Sequence, residues 1–250
     1  MFLDTKFNTK IKVYGLDNYS ITYCNRKIFK PISTQKKKSA KRTIQKKDKN
    51  RKTETKLENV LRSQKRAKER IFDIVYLNKW DYFVTLTFNP NKVDSYNNFE
   101  VMSKVKAWFA YQRKKYSMSY ILVPELHKKG RIHIHALVRY GNLRLVDSNR
   151  KNMHGGIKYN VKSWHLGHSV AECVYGNPMQ LAHYVTKYIS KDIVKLFGKY
   201  YWSSRDLIRD VPTEYCNSNF NNIDGTSYIV PNVSNLLLKY ENHLHYDTKK

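Results

Sequence analysis

Three stretches between residues 119 and 138 decide the fold: Tyr120-Ile121-Leu122-Val123, then Lys128-Lys129-Gly130, then Ile132-His133-Ile134-His135-Ala136-Leu137-Val138. The first and third stretches are short and rich in β-branched and aliphatic residues. A basic turn that ends in glycine separates them. Runs of this kind joined by a glycine-containing connection are typical of a β-hairpin. We therefore predict that residues 119–138 form two antiparallel strands.

Further elements are predicted on both sides of this hairpin. A helix is expected from about Ser63, a strand over 82–88, and an amphipathic helix over about 97–115. After the hairpin, residues 139–165 are polar and irregular, and residues 169–175 suit a fourth strand. Pro178 stands near the start of a last helix, a position that proline favours. This order predicts an α+β fold in which helices cover one face of a central antiparallel sheet.

The histidines of the third stretch are candidate metal ligands. Residues two apart in a strand point to the same side, so His133 and His135 share one face. Glu125 lies across the turn, where antiparallel pairing brings its carboxylate beside the imidazoles. His127 is a rival third ligand, although it lies nearer the turn. Two imidazoles and a carboxylate suit Mn²⁺ or Mg²⁺ in phosphoryl transfer, and Zn²⁺ is also compatible with these ligand types.

A doubled Tyr-x-x-Lys motif occupies residues 184–191. On a helix, Tyr184, Lys187, Tyr188 and Lys191 would share one face, because positions three and four apart are neighbours. A phenol can attack phosphorus as a nucleophile, and a lysine can stabilise the developing charge. The alternative is an ordinary amphipathic helix with packed tyrosines and solvated lysines.

The charge of the chain indicates its class of partner. The formal net charge is +27 and the pI is about 9.9, as expected of a protein that binds nucleic acid. A membrane-surface protein can be equally basic, but no apolar stretch reaches the roughly 18 residues of a spanning helix, and no membrane partner is expected. The three cysteines form no C-x-x-C pair, which argues against a disulfide framework or a zinc knuckle. No P-loop motif is present, which argues against a built-in ATPase.

The composition also predicts the domain organisation. Lysine and arginine are concentrated over residues 36–70, and the first half of that run has too few apolar residues to form a core. We predict a basic, partly disordered extension over 1–62, a central domain over 63–209, and a tail of unknown role over 210–250. Nonspecific phosphate binding is the expected role of the extension, and a solvated tail is the alternative.

Taken together, these motifs resemble those of the HUH endonucleases, specifically the rolling-circle replication initiators. Residues 83–88 resemble the first motif of these enzymes, residues 130–135 the second, and residues 184–191 the third. The doubled third motif is similar to that of the two-tyrosine initiators of microviruses such as phi X. Trp164-x-x-Gly167 and residues 198–205 also resemble initiators of small phages and plasmids. The tyrosines follow the histidines, whereas conjugative relaxases typically have the reverse order.

The resemblance implies a palm-like, ferredoxin-like HUH domain that acts as a site-specific single-stranded DNA endonuclease and ligase. Tyr184 or Tyr188 would attack the scissile phosphate, with Lys187 and Lys191 assisting and with Glu125, His133 and His135 holding Mn²⁺ or Mg²⁺. The products would be a 5′-phosphotyrosine and a 3′-OH that primes rolling-circle replication. Tyr184 is expected to be the essential nucleophile if only one is needed.

The same resemblance implies partners and a location. Single-stranded or extruded origin DNA would be contacted by Thr85, Thr87, Arg131 and Arg205, for which packing or solvation is the alternative. A host helicase and the host replication machinery would be needed, in the cytoplasm of a bacterial host. The competing functions are a single-strand transposase of the HUH class, a metal-dependent hydrolase, and a non-catalytic basic nucleic-acid-binding protein.

Overall fold

The computed structural model describes residues 6–14, 18–23, 27, 29, 56–189, 198–217, 236–240 and 245–247. Its elements are β1 (Thr9–Val13), β2 (Tyr19–Tyr23), α1 (Lys56–Leu77), β3 (Tyr82–Leu86), α2 (Asn98–Tyr116), β4 (Ser119–Leu126), β5 (Ile132–Arg139), β6 (Leu145–Lys151), β7 (Ile157–Val161), β8 (Ser169–Cys173), α3 (Pro178–Thr186), a 3₁₀-helix (Lys187–Ile189), β9 (Trp202–Ser203), β10 (Thr213–Cys216), β11 (Leu236–Tyr240) and β12 (His245–Asp247). The chain divides into two compact units, one of Thr53–Arg209 and one of Met1–Lys52 with Asp210–Lys250. The predicted boundaries at residues 62 and 209 stay a prediction.

The larger unit is built on a seven-stranded sheet with the order β6-β7-β8-β3-β5-β4-β9. Every neighbouring pair in this sheet is antiparallel. The α+β class with an antiparallel sheet is therefore confirmed. The β4–β5 hairpin is also confirmed, and Gly130 in its turn has a φ of 82°, which glycine adopts without strain.

The main core lies between α2 and one face of this sheet. Alternate residues of the strands, including Val84, Ile134 and Ala136, pack with Val105 and Phe109 of α2. Asn97 caps α2, because its side chain accepts hydrogen bonds from the amides of residues 99 and 100. The helix therefore begins where the sequence predicted.

The predicted placement of all helices on one face of the sheet is wrong. Ile121, Val123 and Leu137 point away from the α2 face, yet each is almost completely buried. A strand that is apolar on both sides must be covered on both sides. The rings of α3 and its 3₁₀ extension lie over this second face, and Phe72 of α1 contacts His183 of α3 with 5.0 Å between ring centroids.

Two predicted boundaries also need correction. The first helix begins at Lys56 rather than near Ser63, so Ser63 lies within the helix and is not its cap. Residues 139–165 are not irregular, because they contain the β6–β7 hairpin. Its strands are polar because β6 is the exposed edge of the sheet, where charged side chains are common.

The loop before β8 is held against the end of β3. The Trp164 indole donates to the Thr87 carbonyl across 2.9 Å, and the Asn89 amide donates to the Leu166 carbonyl across 2.8 Å. A Cβ at Gly167 would collide with backbone atoms of residues 87–89. Glycine is therefore required there by the close approach of two backbones.

The smaller unit joins strands from the two ends of the sequence. Its sheet has the order β10-β1-β2-β11-β12. Strand β1 is antiparallel to both β10 and β2, whereas β11 is parallel to β2. In the described part of the chain, no helix has the length and apolar character to cross a membrane.

Candidate active site

The register of the β4–β5 hairpin brings the candidate ligands together. Glu125 lies directly opposite His133, and His135 lies opposite both Val123 and Thr85 on its two neighbouring strands. Because opposite residues share a face, Glu125, His133, His135 and Thr85 all lie on the side away from α2. The predicted pairing of Glu125 with the histidines across the turn is thus observed.

Both ring nitrogens of His135 have polar partners. Nε2 lies 2.7 Å from Glu125 Oε2, and Nδ1 lies 3.2 Å from the Thr85 hydroxyl. An ionised carboxylate only accepts hydrogen bonds, so Nε2 carries a proton and donates it to Glu125. The ring is 7 % exposed and is therefore held firmly in one orientation.

His133 lies beside a second imidazole. Its ring stacks on that of His127 with 5.3 Å between centroids. Burial, followed by the charge of His127, lowers the pKa of His133 despite the opposing effect of Glu125. A lowered pKa favours the neutral imidazole, which is the form that binds metals. His127 is thus close to His133, contrary to the expectation that its place near the turn would keep it apart.

The two tyrosines lie over this face of the sheet. The Tyr188 ring stacks on the His135 ring with 3.9 Å between centroids, and the Tyr188 hydroxyl donates to the Tyr184 hydroxyl across 2.6 Å. Tyr184 is 45 % exposed, whereas Tyr188 is half-buried. Burial, then the hydrogen bond with Tyr184 and the charge of Glu125, raise the pKa of Tyr188 well above its usual value.

Phe83 is the common support of these rings. Its ring centroid lies 5.8 Å from that of His135, 5.3 Å from that of Tyr184 and 5.9 Å from that of Tyr188. The sequence analysis did not select Phe83 as a site residue. The signal was present, because Phe83 is two residues before Thr85 and so shares its face of β3.

The helix that carries the doubled motif is not continuous. The α-helix ends at Thr186, and Lys187–Ile189 form a 3₁₀-helix in which the Lys187 amide donates to the Tyr184 carbonyl. The Thr186 hydroxyl bonds the His183 carbonyl and so competes with the α-helical ladder at this point. Lys187 is exposed. Lys191 lies outside the described residues, so the predicted four-residue strip is observed only in its tyrosines.

The candidate ligands fit a divalent cation in their chemistry and in their shared face. Within the described ranges, however, no three histidine, cysteine or carboxylate side chains converge as a ready-made metal site. The reason is the hydrogen bond of His135 with Glu125, which occupies a donor atom of each. A cation at His135 Nε2 would replace this proton, and the Thr85 hydroxyl could then accept the proton on Nδ1.

The predicted DNA contacts lie in different surroundings. Thr85 faces His135, and the Thr87 hydroxyl donates to the His168 carbonyl across 2.9 Å. Arg131 is exposed at the tip of the β4–β5 hairpin. Arg205 is exposed in the turn after β9, which pairs with the end of β4 opposite to Glu125. Of the four, only Thr85 touches the histidine cluster.

Comparison with known proteins gives one match. Residues 81–193 match the model of a family described as replication-associated protein ORF2. The matched range contains β3, the β4–β5 hairpin and both tyrosines. The match supports a role as a rolling-circle replication initiator. No curated protein and no solved structure matches the chain.

Proposed function

We propose that this chain is a replication initiator that nicks single-stranded DNA at a replicon origin and later rejoins it. The nucleophile is a tyrosine, and the HUH/palm-like assignment of the fold is part of the proposal. One observation carries it: two hydrogen-bonded phenols lie against a buried histidine that is paired with a carboxylate. A tyrosine that only packs would not need a second phenol, an imidazole and a carboxylate on the same face.

Tyr184 is the first nucleophile. It is the more exposed of the two phenols, and its oxygen accepts the hydrogen bond from Tyr188. A free tyrosine has a pKa of about 10 and attacks slowly at neutral pH. A hydrogen bond donated to its oxygen stabilises the phenolate relative to the phenol, so Tyr188 assists the attack.

The reaction exchanges one phosphate ester bond for another. The Tyr184 oxygen forms a bond to phosphorus as the bond from phosphorus to the 3′ oxygen breaks. The phenol loses its proton, and the departing 3′ oxygen gains one. The products are a 5′-phosphotyrosine and a 3′-OH that primes synthesis, and rejoining needs no ATP because the ester energy is conserved.

Glu125, His133 and His135 would hold a divalent ion, Mn²⁺ or Mg²⁺, whose chemistry is to neutralise charge on the scissile phosphate. Thr85 orients His135 through Nδ1, and Phe83 supports both tyrosines. Lys187, exposed beside Tyr184, and Lys191 supply positive charge to the phosphate.

Tyr188 acts in the second half of the cycle. After one round of replication it cleaves the regenerated origin, and the strand held by Tyr184 is released as a closed circle. The partners in this proposal are single-stranded or extruded origin DNA, a host helicase and the replication machinery in the cytoplasm of a bacterial host. Arg131 and Arg205 contact the DNA backbone.

Covalent trapping tests the proposal. The purified protein is mixed with labelled single-stranded DNA of its replicon and Mn²⁺, and the products are separated on a denaturing gel. We expect a protein–DNA adduct that is lost with chelator, with His133→Ala and with the double change of Tyr184 and Tyr188 to phenylalanine. Tyr140→Phe, an exposed tyrosine beyond the far end of β5, is the matched control and should keep the adduct. Nicking without an adduct would point to a hydrolase, and binding without nicking to a non-catalytic protein.

A further inference from the structure

An exposed surface with aromatic rings and cations lies at the tip of the β4–β5 hairpin. We call it the tip surface and define it by the side chains of Tyr96, Phe99, Lys128, Lys129 and Arg131. Phe99 is 88 % exposed and Tyr96 is 57 % exposed, which is unusual for large rings on one small area. The three cationic side chains are also exposed.

The local backbone holds this surface in place. The Ile132 amide donates to the Ser95 carbonyl across 3.0 Å, which ties the end of the hairpin to the loop before α2. The Tyr96 amide donates to Asp94 Oδ1 across 2.9 Å. Phe99 stands in the first turn of α2, next to the Asn97 cap. The two aromatic residues are therefore presented by a capped and hydrogen-bonded loop.

Arg131 joins the two parts of the surface. Its guanidinium carbon lies 5.9 Å from the centre of the Tyr96 ring, and its Nε donates to the Tyr96 hydroxyl across 3.3 Å. Gly130 lies against the same ring. A planar guanidinium beside an exposed ring is an arrangement on which a nucleobase can stack.

The acidic groups near the tip surface are occupied by the backbone. Asp94 accepts the Tyr96 amide, and Glu100 accepts the Asp94 amide across 3.3 Å. Both carboxylates are thus directed to the loop that they stabilise. The exposed lysines and Arg131 leave the hairpin tip cationic, as a phosphate backbone requires.

The tip surface is also adjacent to the candidate catalytic face. His127 belongs to the same turn, and its ring stacks on His133, one of the candidate ligands. A strand that passes the scissile phosphate at His133 would meet the turn within about one or two nucleotides, since each residue of β5 spans about 3.3 Å.

We infer that the tip surface binds the single strand next to the cleavage site, with bases stacked on Tyr96 and Phe99 and phosphates held by Lys128, Lys129 and Arg131. This inference rests on the proposed function for the identity of the strand. It concerns binding outside the catalytic residues, so it is tested without cleavage. Single-stranded DNA is favoured over duplex because flat aromatic faces recognise unstacked bases.

A second tyrosine of this chain offers a matched control. Tyr140 is 54 % exposed, and the guanidinium carbon of Arg139 lies 4.4 Å from the centre of its ring. The pair resembles that of Tyr96 with Arg131 in composition and exposure. It lies at the other end of β5, about 26 Å from the start of that strand.

The test measures binding of a labelled oligo(dT) strand by fluorescence anisotropy, with the full chain and each variant. We expect Tyr96→Ala and Phe99→Ala to weaken binding roughly five- to a hundredfold each, and Tyr140→Ala to leave it unchanged. Lys128→Ala and Lys129→Ala should each reduce the salt dependence of log K by about 0.7. Unchanged thermal unfolding of the variants would show that the fold is intact.

Three results would overturn the inference: wild-type affinity in both aromatic variants, an equal loss in Tyr140→Ala, or the same loss on duplex DNA as on oligo(dT). The outcome is separate from that of covalent trapping. If the wild-type protein forms adducts but the aromatic variants bind normally, the nuclease proposal stands without the tip surface. If the aromatic variants lose binding and the wild type forms no adduct, the surface stands and the nuclease proposal fails.

Discussion

The hydroxyl of Tyr188 donates a hydrogen bond to the hydroxyl of Tyr184 across 2.6 Å. The two phenols are therefore not equivalent: Tyr184 is the acceptor and the more exposed ring, and Tyr188 is the donor and the ring that stacks on His135. This asymmetry assigns an order to the two tyrosines in the proposed reaction.

Single substitutions should separate the two roles. Tyr184→Phe should abolish the first adduct, because the accessible nucleophile is gone. Tyr188→Phe should retain the adduct but form it about tenfold or more slowly, since hydrogen bonds to charged acceptors contribute about 1.5–3 kcal/mol. The measurement is the rate of adduct formation on a denaturing gel, with Tyr140→Phe as the control. An adduct that survives Tyr184→Phe and disappears in Tyr188→Phe would reverse the assignment.

Thr85 should tune the proposed cation site through His135. Thr85→Val removes the hydroxyl that contacts His135 Nδ1 while keeping the shape of the side chain. Losing the partner of a metal-binding histidine typically costs 10- to 100-fold in affinity, so adduct formation should require roughly tenfold or more Mn²⁺.

Thr87→Val is the matched control for this change, because the Thr87 hydroxyl bonds the His168 carbonyl and not a candidate ligand. The readout is the Mn²⁺ concentration at half-maximal adduct. Equal requirements in the two valine variants would show that Thr85 does not act through His135.

Gly167→Ala should destabilise the larger unit. The added methyl group would collide with backbone atoms of residues 87–89, and overpacking typically costs about 1–3 kcal/mol. Urea unfolding followed by circular dichroism measures this loss. Ser163→Ala is a control in the same loop: its hydroxyl is buried with no hydrogen-bond partner in the described part of the chain, so its removal should be neutral or slightly stabilising. Equal unfolding midpoints for Gly167→Ala and the wild type would contradict the close approach.

Asp206 should contribute stability that depends on pH. Burial acts to raise the pKa of this carboxyl, but hydrogen bonds with Arg113, Ser119 and Ser204 outweigh burial and hold it well below its usual range. Because the folded pKa is depressed, the stabilisation is present above the unfolded pKa of about 3.9 and is lost as pH falls below it.

Asp206→Asn should therefore lower the free energy of unfolding at pH 7 and change it less at pH 3. Urea unfolding at both values is the measurement. Asp147→Asn serves as a control, since that carboxylate accepts a local amide hydrogen bond from Asn149. A deficit for Asp206→Asn that is as large at pH 3 as at pH 7 would mean that ionisation of Asp206 is not its source.

Local sequence patterns predicted the parts of the site that depend on local geometry. The alternation of His133 and His135 with apolar residues, and the turn at Gly130, were enough to place Glu125 opposite His133. The cap at Asn97 and the strand at 82–86 follow from equally local signals.

The remaining features depend on contacts that local patterns do not contain. Ile121 and Leu137 are apolar on the histidine side of the sheet, and only the position of α3 shows why. The change to a 3₁₀-helix after Thr186 depends on one side-chain hydrogen bond. Strands β6 and β7 read as a loop because an exposed edge strand is polar. The stacking of Tyr188 on His135 joins elements about fifty residues apart.

The pairing of β1 with β10 has a consequence for the order of folding during synthesis. Residues Thr53–Arg209 are contiguous and can assemble as soon as they leave the ribosome. The small sheet cannot, because β1 and β2 emerge first and must wait for β10 and β11. Its strands pair across some two hundred residues, and such non-local pairing is slow. A nascent chain stalled before residue 210 should therefore already contain a folded larger unit, with its amino-terminal strands still lacking their partners.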